Sequence, residues 1–469
     1  MKRRLVIVGA GLGGCCLANE MADDWDVTVI ELDTVDGALE DRVLDVGRPA
    51  VTRPHVGYGL GGTTSFWHNG LIEIDSEIFD RYWPFQKSEL IPYYAAAFPK
   101  LSGVAFDSVK SASEVLRQKL IENGIPEDLI GNSLFYPRHR FNVWHRFSLR
   151  DRVRLVKGEV SDFLMDDSDG VRGVMVRCGC VVQHVEGDTI VLAAGGLGTP
   201  ALLQRLAQSH PSIALRQVGR YYEDHPTGFV AEVHMDAPIY KLWNFSVSGA
   251  KGNLRLPVVI EQDGLQIAFQ FRPAAQFGRR GKMDSVLSEL RNEPYNLKNY
   301  LRLFSHVDDI LDILSFRFGL KWPTKRYSLL MVAQQLPDSS LSVEGLSDGR
   351  AVSRRWTLPD AYIVSLEMAI RKVIDRLGCA KSAHVFTGWA ADLKSSAHHS
   401  GTARMHVSAE EGVCNPNAQV YGVNNLFVCD GSLIPASGYA NTGLTIAAMA
   451  LRLAEHLKRC GGCEKNADN

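Results

Sequence analysis

Two adjacent histidines late in the chain have side chains well suited to proton transfer. His398 and His399 stand directly before a Ser-Gly-Thr sequence, and Asn441 follows in a later loop. An imidazole titrates near neutral pH, so it can serve as a general base. The predicted strand Leu426–Cys429 lies between the two loops, and its end places Asp430 where open α/β sheets bind ligands. The pattern indicates a functional site, with a structural role for the histidines as the alternative.

A glycine-rich turn early in the chain predicts a dinucleotide site. The apolar run Leu5–Val8 predicts a buried strand, and a glycine turn follows it directly. Gly9 permits the tight turn, Gly11 lets the backbone reach a pyrophosphate, and Gly14 lets helix and strand pack closely. A second predicted strand ends at Glu31, whose carboxylate can accept hydrogen bonds from ribose hydroxyls. The acid favours FAD or NAD over NADP without choosing between the first two.

Two further segments are rich in small residues. Residues 57–70 combine glycines, hydroxyl residues and aromatic residues, which is typical of backbone lying against a flat ligand, with a surface loop as the alternative. A buried strand predicted over 188–196 ends in small residues and leads through Pro200 into a helix predicted over Ala201–Ala207. The chain therefore returns to the dinucleotide-binding domain after an excursion.

In this order, the segments make the sequence resemble the glucose–methanol–choline (GMC) oxidoreductases, FAD flavoenzymes that oxidise alcohols. The resemblance rests on residues 9–14 with Glu31, 59–70, 83–84, 90–94, 192–203, 218–220, 224–226, 398–405, 424–432 and 441–457. It implies an α/β fold with a Rossmann-like FAD-binding domain assembled from discontinuous segments, 1–74, 147–229 and 382–469. It also implies an inserted α+β substrate domain with an antiparallel sheet, 75–146 and 230–381.

The resemblance also implies chemical roles. By position, His398 matches the family's catalytic histidine, which takes the alcohol proton while hydride leaves the carbon for flavin N(5). Asn441 matches its partner, whose neutral amide can fix the hydroxyl without competing for the proton. His399 is then a flanking residue that packs or caps a loop. We therefore expect oxidation of CH–OH to a carbonyl.

The cofactor-binding residues implied by the resemblance lie in the glycine turns and at the ends of strands and helices. Asp430 is expected to bind the ribityl chain, and the N-terminus of the final helix to direct its positive dipole end at the flavin. The full set is Gly9, Gly11, Gly14, Glu31, Gly62, Thr63, Asn69, Ala194, Asp430, Gly431, Thr442 and Thr445.

Two departures from the family pattern concern the cofactor. The family usually has proline where Thr442 follows Asn441, so the turn there can differ. Some members bond the flavin covalently to a histidine. An alignment through Trp67 puts Phe66 at that position, whereas an alignment from the following asparagine puts His68 there. Trp67 favours the first alignment, so we expect non-covalent FAD.

The substrate side carries a weaker signal. Gly264–Arg272 alternates strictly, with apolar residues on one face and Gln266, Gln270 and Arg272 on the other. The polar face favours a sugar, polyol or sugar-bearing metabolite if it is turned to the flavin; a solvated outer face is the alternative. Oxidation of an apolar alcohol and a non-redox lyase reaction also stay open. Residues 284–318 predict a helical segment that packs on the sheet or serves as a lid, oligomer arm or membrane-surface element.

The composition argues against several classes of protein. The 469 residues include 51 Lys and Arg against 53 Asp and Glu, so no bulk positive charge favours nucleic acid. No stretch approaches the about 18 apolar residues of a membrane span, so membrane association is not expected. Nine cysteines without a secretory signal predict reduced thiols in the cytoplasm, and no metal site is expected. The expected partners are a small alcohol or sugar and an electron acceptor such as oxygen, a quinone or another carrier.

Overall fold

The structure is a computed structural model that describes most of the chain. The described residues are 2–32, 43–47, 56–67, 69–137, 151–166, 170–234, 245–246, 252–274, 292–293, 295–304, 310, 326–346, 352–378 and 382–463.

Runs of strands and runs of helices follow one another along the described part of the chain. The strands are β1 (Arg4–Val8), β2 (Asp26–Glu31), β3 (Val43–Val46), β4 (Leu134–Pro137), β5 (Arg154–Lys157), β6 (Glu159–Met165), β7 (Val171–Cys178), β8 (Val181–Glu186), β9 (Thr189–Leu192), β10 (Pro226–His234), β11 (Phe245–Ser246), β12 (Gly252–Arg255), β13 (Val258–Gln262), β14 (Leu265–Pro273), β15 (Arg326–Ala333), β16 (Ser342–Gly345), β17 (Val352–Arg355), β18 (His384–Val385), β19 (Lys394–Ser395) and β20 (Leu426–Val428). The α-helices are α1 (Leu12–Met21), α2 (Ser76–Tyr82), α3 (Lys87–Ser102), α4 (Phe106–Glu122), α5 (Gly195–Ser209), α6 (Leu297–Phe304), α7 (Asp360–Arg376) and α8 (Gly443–Cys463). Short 3-10 helices span Gly62–Phe66, Glu127–Leu129, Trp389–Asp392 and Gly431–Leu433.

A parallel sheet joins early, middle and late parts of the chain. Its strand order is β20–β9–β1–β2–β5, and every neighbouring pair runs parallel. β1 contributes Leu5, Val6 and Ile7, all buried, because a parallel strand covered on both faces is apolar throughout. α1 packs against β2 and α8. This sheet confirms the expectation of a Rossmann-like domain assembled from discontinuous segments.

A second large sheet is antiparallel. Its order is β13–β14–β15–β10–β18, and β19 also pairs with β10. The apolar face of β14, from Leu265 to Phe271, is buried as predicted. Gln266 and Gln270 on the opposite face are also buried, each 7% exposed, so the alternative of a solvated outer face is wrong. The inserted antiparallel sheet confirms the second half of the expected fold class.

The helix α5 begins earlier than predicted. The sequence places its start at Ala201, after Pro200, whereas α5 begins at Gly195. A proline inside a helix leaves the carbonyl four residues earlier without its usual donor. Here the hydroxyl of Thr402 donates to that carbonyl, on Gly196, at 2.7 Å. The replacement bond makes the internal proline tolerable.

Only part of the predicted helical segment 284–318 lies among the described residues. α6 is helical, with Leu297 and Leu301 exposed at 73% and 61%. Most of the remaining segment lies outside the described residues, so its predicted roles stay predictions. In the part of the chain that the structure describes, no helix is both long and apolar enough to cross a membrane.

Candidate active site

Glycines shape the turn between β1 and α1. Gly9 has a φ of 110°, which glycine adopts without strain. A Cβ at Gly14 would lie 2.1 Å from the carbonyl oxygen of Gly9, so only glycine lets the helix pack this closely on the strand. A Cβ at Gly11 would meet nothing closer than the carbonyl oxygen of Ala193, at 3.8 Å. The backbone at Gly11 is therefore open, as the approach of a pyrophosphate requires.

Glu31 ends β2 beside this turn. Its carboxylate oxygens accept hydrogen bonds from the backbone N–H groups of Ala10 and of Leu32, the latter at 2.9 Å. Burial raises the pKa of Glu31 to about 7, against the opposing effect of these backbone donors. A carboxylate has about four acceptor positions, so Glu31 keeps capacity for ribose hydroxyls.

The second glycine-rich segment lies against the first. The N–H of Gly61 donates to the carbonyl oxygen of Ala10 at 3.0 Å. A Cβ at Gly62 would lie 3.6 Å from the α-carbon of Gly11. Thr63 follows in a 3-10 helix, and its hydroxyl accepts a backbone N–H from the start of the same segment at 3.2 Å. The structure therefore brings Gly62 and Thr63 to the first glycine turn.

Asp430 joins the end of β20 to the start of α5. One carboxylate oxygen accepts from the N–H of Gly195 at 2.8 Å and from the hydroxyl of Thr199 at 2.5 Å. The other accepts from the N–H and the hydroxyl of Ser432. Burial raises the pKa of Asp430 against these donors. Ala194 is exposed beside it, as the N-cap of α5. These bonds give Asp430 a structural role, and its bond to a ribityl chain stays a prediction.

The start of α8 lies beside Trp67. A Cβ at Gly443, the first residue of α8, would lie 2.7 Å from the indole ring of Trp67. The carbonyl oxygen of Thr442 accepts the N–H of Ile446 at 2.9 Å, so the helix starts here without the family's proline. The first N–H groups of a helix have no acceptor within it, which makes such a terminus a site for partial negative charge.

Three predicted residues near this terminus have different surroundings. Asn441 donates through Nδ2 to the carbonyl oxygen of Gly70 at 3.4 Å. Asn69 is fully buried and has a φ of 58°. The hydroxyl of Thr445 is hydrogen-bonded to that of Tyr94 at 2.9 Å, where α8 packs against α3. The side chain of Thr445 therefore serves helix packing, and only its backbone belongs to the helix terminus.

Asp224 fixes the loop that carries His398. Its Oδ1 accepts from the backbone N–H groups of His398 at 3.1 Å and of His225 at 2.7 Å. Its Oδ2 accepts from the hydroxyl of Ser395. Although burial alone would raise it, the imidazoles of His399 and His398 keep the pKa of Asp224 below its usual value. Asp224 is therefore a buried anion that positions two histidine backbones.

The His398 side chain is the first member of a chain of hydrogen bonds. Its Nδ1 lies 2.9 Å from Nδ1 of His225, and Nε2 of His225 lies 2.9 Å from the hydroxyl of Ser437. Ser437 donates to Oε1 of Glu223 at 2.7 Å. Burial lowers the pKa of His398, which favours the neutral imidazole that a general base needs. Nε2 of His398 is the ring nitrogen outside this chain.

His399 belongs to a neighbouring buried cluster. Its Nδ1 lies 2.7 Å from the hydroxyl of Tyr222, which also accepts a hydrogen bond from Arg354 at 3.2 Å. The buried guanidinium of Arg354 pairs with Asp45 at 2.5 Å. The carbonyl oxygen of His399 lies 2.7 Å from where a Cβ at Gly431 would be. These contacts support the interpretation of His399 as a packed flanking residue.

Comparison with known proteins bears on the family. A family profile described as GMC oxidoreductase matches residues 370–450, which include His398 and Asn441. The fold aligns over 97% of the chain with pyridoxine 4-oxidase from Mesorbium loti, covering 99% of that chain with a TM-score of 0.60 and 16% identity. It aligns over 98% of the chain with a formate oxidase variant of Aspergillus oryzae, covering 99% of that chain with a TM-score of 0.62 and 15% identity. The chain is therefore similar to GMC oxidoreductases over residues 370–450, and it shares the fold of the two oxidases.

Curated relatives match parts of the chain. It is 24% identical over 293 residues to 2-methyl-1,2-propanediol dehydrogenase from Mycolicibacterium austroafricanum, which is 59% of the chain and 49% of that protein. It is 33% identical over 110 residues to C-glycoside 3-oxidase from Microbacterium trichothecenolyticum, 23% of the chain and 21% of that protein. A long-chain-alcohol oxidase of Arabidopsis thaliana is 44% identical over 55 residues, 12% of the chain and 7% of that protein. The match therefore spans about half the length of the first relative and less of the others.

The residues of this site fit FAD. The open backbone at Gly11 suits a pyrophosphate, the buried carboxylate of Glu31 suits ribose hydroxyls, and the start of α8 suits a partial negative charge on a flavin. Phe66, at the expected attachment position, is 42% exposed. His68, the alternative attachment residue, lies outside the described residues.

Sequence reasoning misses the residues that support His398. The sequence marks Asp224-His225-Pro226 as part of the GMC resemblance but gives it no role, although an acid beside a histidine is a recognisable signal for a tuned imidazole. Nothing in the sequence singles out Ser437 or Glu223. Glu223 lies two residues before His225, but Ser437 comes from a distant loop that only the folded structure brings to both of them.

The amide face of β14 reaches the loop that precedes α8. A Cβ at Gly438 would lie 2.8 Å from Oε1 of Gln266. The N–H of Gln266 donates to Oε1 of Gln334 at 2.9 Å, and Oε1 of Gln270 accepts from Arg272 at 3.0 Å. Among the described residues, Oε1 of Gln266 and Nε2 of Gln334 are buried without a hydrogen-bond partner. Polar groups of this kind are costly to bury unless something else satisfies them.

Proposed function

We propose that this protein uses FAD to oxidise an alcohol group to a carbonyl, with His398 as the general base. The observation that carries the proposal is the way in which His398 is held. Asp224 binds its backbone N–H and His225 binds its Nδ1, which directs the proton-accepting role to Nε2. A burial-lowered pKa keeps the imidazole of His398 neutral and able to accept the proton.

The other predicted residues bind the cofactor and orient the substrate. When bound, FAD supplies the acceptor for the hydride that leaves the alcohol carbon. Gly11, Glu31 and the start of α8 hold the cofactor through backbone and carboxylate contacts. Removal of the hydroxyl proton by His398 lowers the barrier, because an un-ionised alcohol is a poor hydride donor. Asn441 orients the hydroxyl through its amide without taking the proton.

A sugar, a polyol or a sugar-bearing metabolite is the substrate class that we propose. The buried amide face around Gln266 and Gln334 offers donors and acceptors for several hydroxyl groups. The partial similarities to a C-glycoside 3-oxidase and to a propanediol dehydrogenase support the same class. Oxygen, a quinone or another carrier then removes the electrons.

A non-covalent flavin follows from Phe66 at the expected attachment position. Acid or heat should therefore release FAD from the purified protein into the supernatant. Flavin that stays with the denatured chain would contradict this and point to His68 as the attachment residue.

Anaerobic mixing with a panel of alcohols tests the reaction. We expect sugars or polyols to bleach the visible flavin absorption, and readmission of oxygen, a quinone or a dye to restore it. Bleaching by long-chain alcohols alone would contradict the substrate class. Product formation without any bleaching would overturn the redox reaction in favour of a lyase.

A further inference from the structure

The direction of the hydrogen bonds that run from His398 through His225 and Ser437 to Glu223 follows from the contacts of Glu223. Oε1 of Glu223 accepts both the hydroxyl of Ser437 at 2.7 Å and its backbone N–H at 3.1 Å. A serine hydroxyl has a single proton to donate. Because that proton is directed to Glu223, the Ser437 oxygen accepts in its contact with His225.

His225 is then restricted to one tautomer. Its Nε2 carries the proton that is donated to Ser437. Burial, reinforced by the charge of a protonated His398, lowers the pKa of His225 to about 3, so the ring is neutral and has only this one proton. Its Nδ1 is consequently an acceptor. The proton in the 2.9 Å contact between the two Nδ1 atoms therefore belongs to His398.

We propose that Glu223, Ser437 and His225 are positioning residues that keep the His398 imidazole in the tautomer with its proton on Nδ1 and its lone pair on Nε2. Free histidine favours the opposite tautomer, so the protein has to select this one. The proposal rests on the proposed function in one respect: Nε2 is the atom that would take the alcohol proton. The opposite tautomer would present an N–H there and could not act as a base.

The ionisation of Glu223 does not reverse the direction of the hydrogen bonds between Glu223 and His398. Burial raises the pKa of Glu223 to about 8, against the opposing effect of Ser437 and Arg404 and with a further increase from Asp224. A proton on Glu223 belongs on Oε2, because Oε1 already accepts two hydrogen bonds. Oε1 therefore accepts from Ser437 in both ionisation states, and the same tautomer of His398 follows.

Asp224 and His399 also contact these hydrogen-bonded residues, but they do not change the direction of the hydrogen bonds. Asp224 accepts the backbone N–H groups of His398 and His225, so it positions both rings without taking a ring proton from either. His399 is hydrogen-bonded through Nδ1 to Tyr222 and takes no part in the hydrogen bonds between His398 and Glu223. The tautomer of His398 is therefore decided by His225 and the residues behind it.

Nitrogen-15 NMR of the resting FAD-bound protein tests the proposal. With labelled histidine, the ring signals of His398 are assigned by their loss in His398→Ala. We expect a protonated Nδ1 and an unprotonated Nε2. Ser437→Ala removes the hydroxyl that links His225 to Glu223 and leaves the hydrogen bond of the ring to the backbone of Gly438. The His398 signals should therefore move towards the Nε2-protonated tautomer. Ser437→Thr keeps a hydroxyl and should restore the wild-type signals.

The same variants have a kinetic readout. Loss of a partner that orients an imidazole typically costs about 10- to 100-fold, so Ser437→Ala should slow flavin reduction by that factor. Ser365, a partly exposed serine hydrogen-bonded to Asp263, supplies the matched control, and Ser365→Ala should change neither the tautomer nor the rate.

A wild-type His398 protonated on Nε2 would overturn the proposal, and so would a Ser437→Ala variant with an unchanged tautomer. The NMR measurement uses no substrate, so its result is separate from the proposed reaction. If the expected tautomer is found in a protein that oxidises no alcohol, the function fails and the tautomer assignment stands. If the protein oxidises alcohols with the opposite tautomer, the assignment alone fails.

Discussion

The glycine cradle, residues 9–14 and 57–63, and the histidine cluster, residues 223–225, 395–399 and 437, are built in opposite ways. The cradle consists of backbone from two continuous stretches, and it is open where a ligand would approach Gly11. The cluster consists of side chains from three distant segments that are hydrogen-bonded to one another. A site can thus be prepared for its ligand by leaving backbone uncovered or by orienting side chains in advance.

This contrast has a practical consequence. Changes in the cradle should act on FAD binding, whereas changes in the cluster should act on proton transfer while FAD stays bound. Each of the following experiments would break the contrast if it affected the wrong property.

The largest effect on FAD binding is expected at Gly11 of the cradle, whereas a change at Gly14 should act on folding stability. Gly11→Ala should abolish FAD binding, because the new Cβ occupies the space next to the backbone that a pyrophosphate needs, yet it meets no protein atom closer than 3.8 Å. The FAD-free protein should therefore unfold as the wild type does. Gly14→Ala would place its Cβ 2.1 Å from a backbone oxygen, and overpacking of this kind costs about 1–3 kcal/mol or more.

Calorimetric FAD titration and thermal unfolding of the FAD-free proteins distinguish the two variants. Normal FAD affinity in Gly11→Ala would show that the cradle is not the pyrophosphate site.

The second prediction concerns the pH dependence of stability. Because the pKa of Glu223 is raised to about 8 in the folded protein, the folded state retains a proton that the unfolded chain releases above its ordinary value of 4.5. The stability that this proton contributes is fully present below the ordinary value of 4.5 and is lost as the pH rises through about 8. Each pKa unit corresponds to about 1.4 kcal/mol, so the change amounts to several kcal/mol.

Glu223→Gln removes this titration and should flatten the fall in unfolding free energy between pH 5 and 8. Denaturant unfolding at several pH values measures it. A slope equal to that of the wild type would mean that Glu223 titrates normally.

The smallest effect is expected at Glu31. Glu31→Ala should weaken FAD binding by about 1.5–3 kcal/mol, the typical contribution of hydrogen bonds to a charged acceptor. Equilibrium titration of the FAD-free protein with FAD gives the affinity. Glu20→Ala, at an exposed ion pair with Lys100, is the matched control. An unchanged affinity in Glu31→Ala would remove Glu31 from the cofactor site.

The cradle could be predicted from the sequence and the cluster only in part. Gly9 and Gly14 are recognisable because no other residue type tolerates that turn and that packing, and Gly11 because a side chain there would cover the backbone that a pyrophosphate needs. His398 is also recognisable from its local motif. The contacts of Ser437 and Glu223 depend on loops that meet only in the folded chain, so no local pattern encodes them. The early start of α5 could not be predicted either, because the hydrogen bond that replaces the one lost at Pro200 comes from the distant Thr402.

The central claim is that His398 takes the alcohol proton, and stopped-flow flavin reduction in His398→Ala tests it most directly. The variant should keep FAD with an unchanged visible spectrum, while reduction by substrate slows by at least about 100-fold and loses the rise with pH that reports ionisation of the base. His384→Ala, at an exposed histidine of β18, should behave as the wild type. Fast reduction in His398→Ala together with slow reduction in His399→Ala would contradict the claim and assign the base to the neighbouring residue.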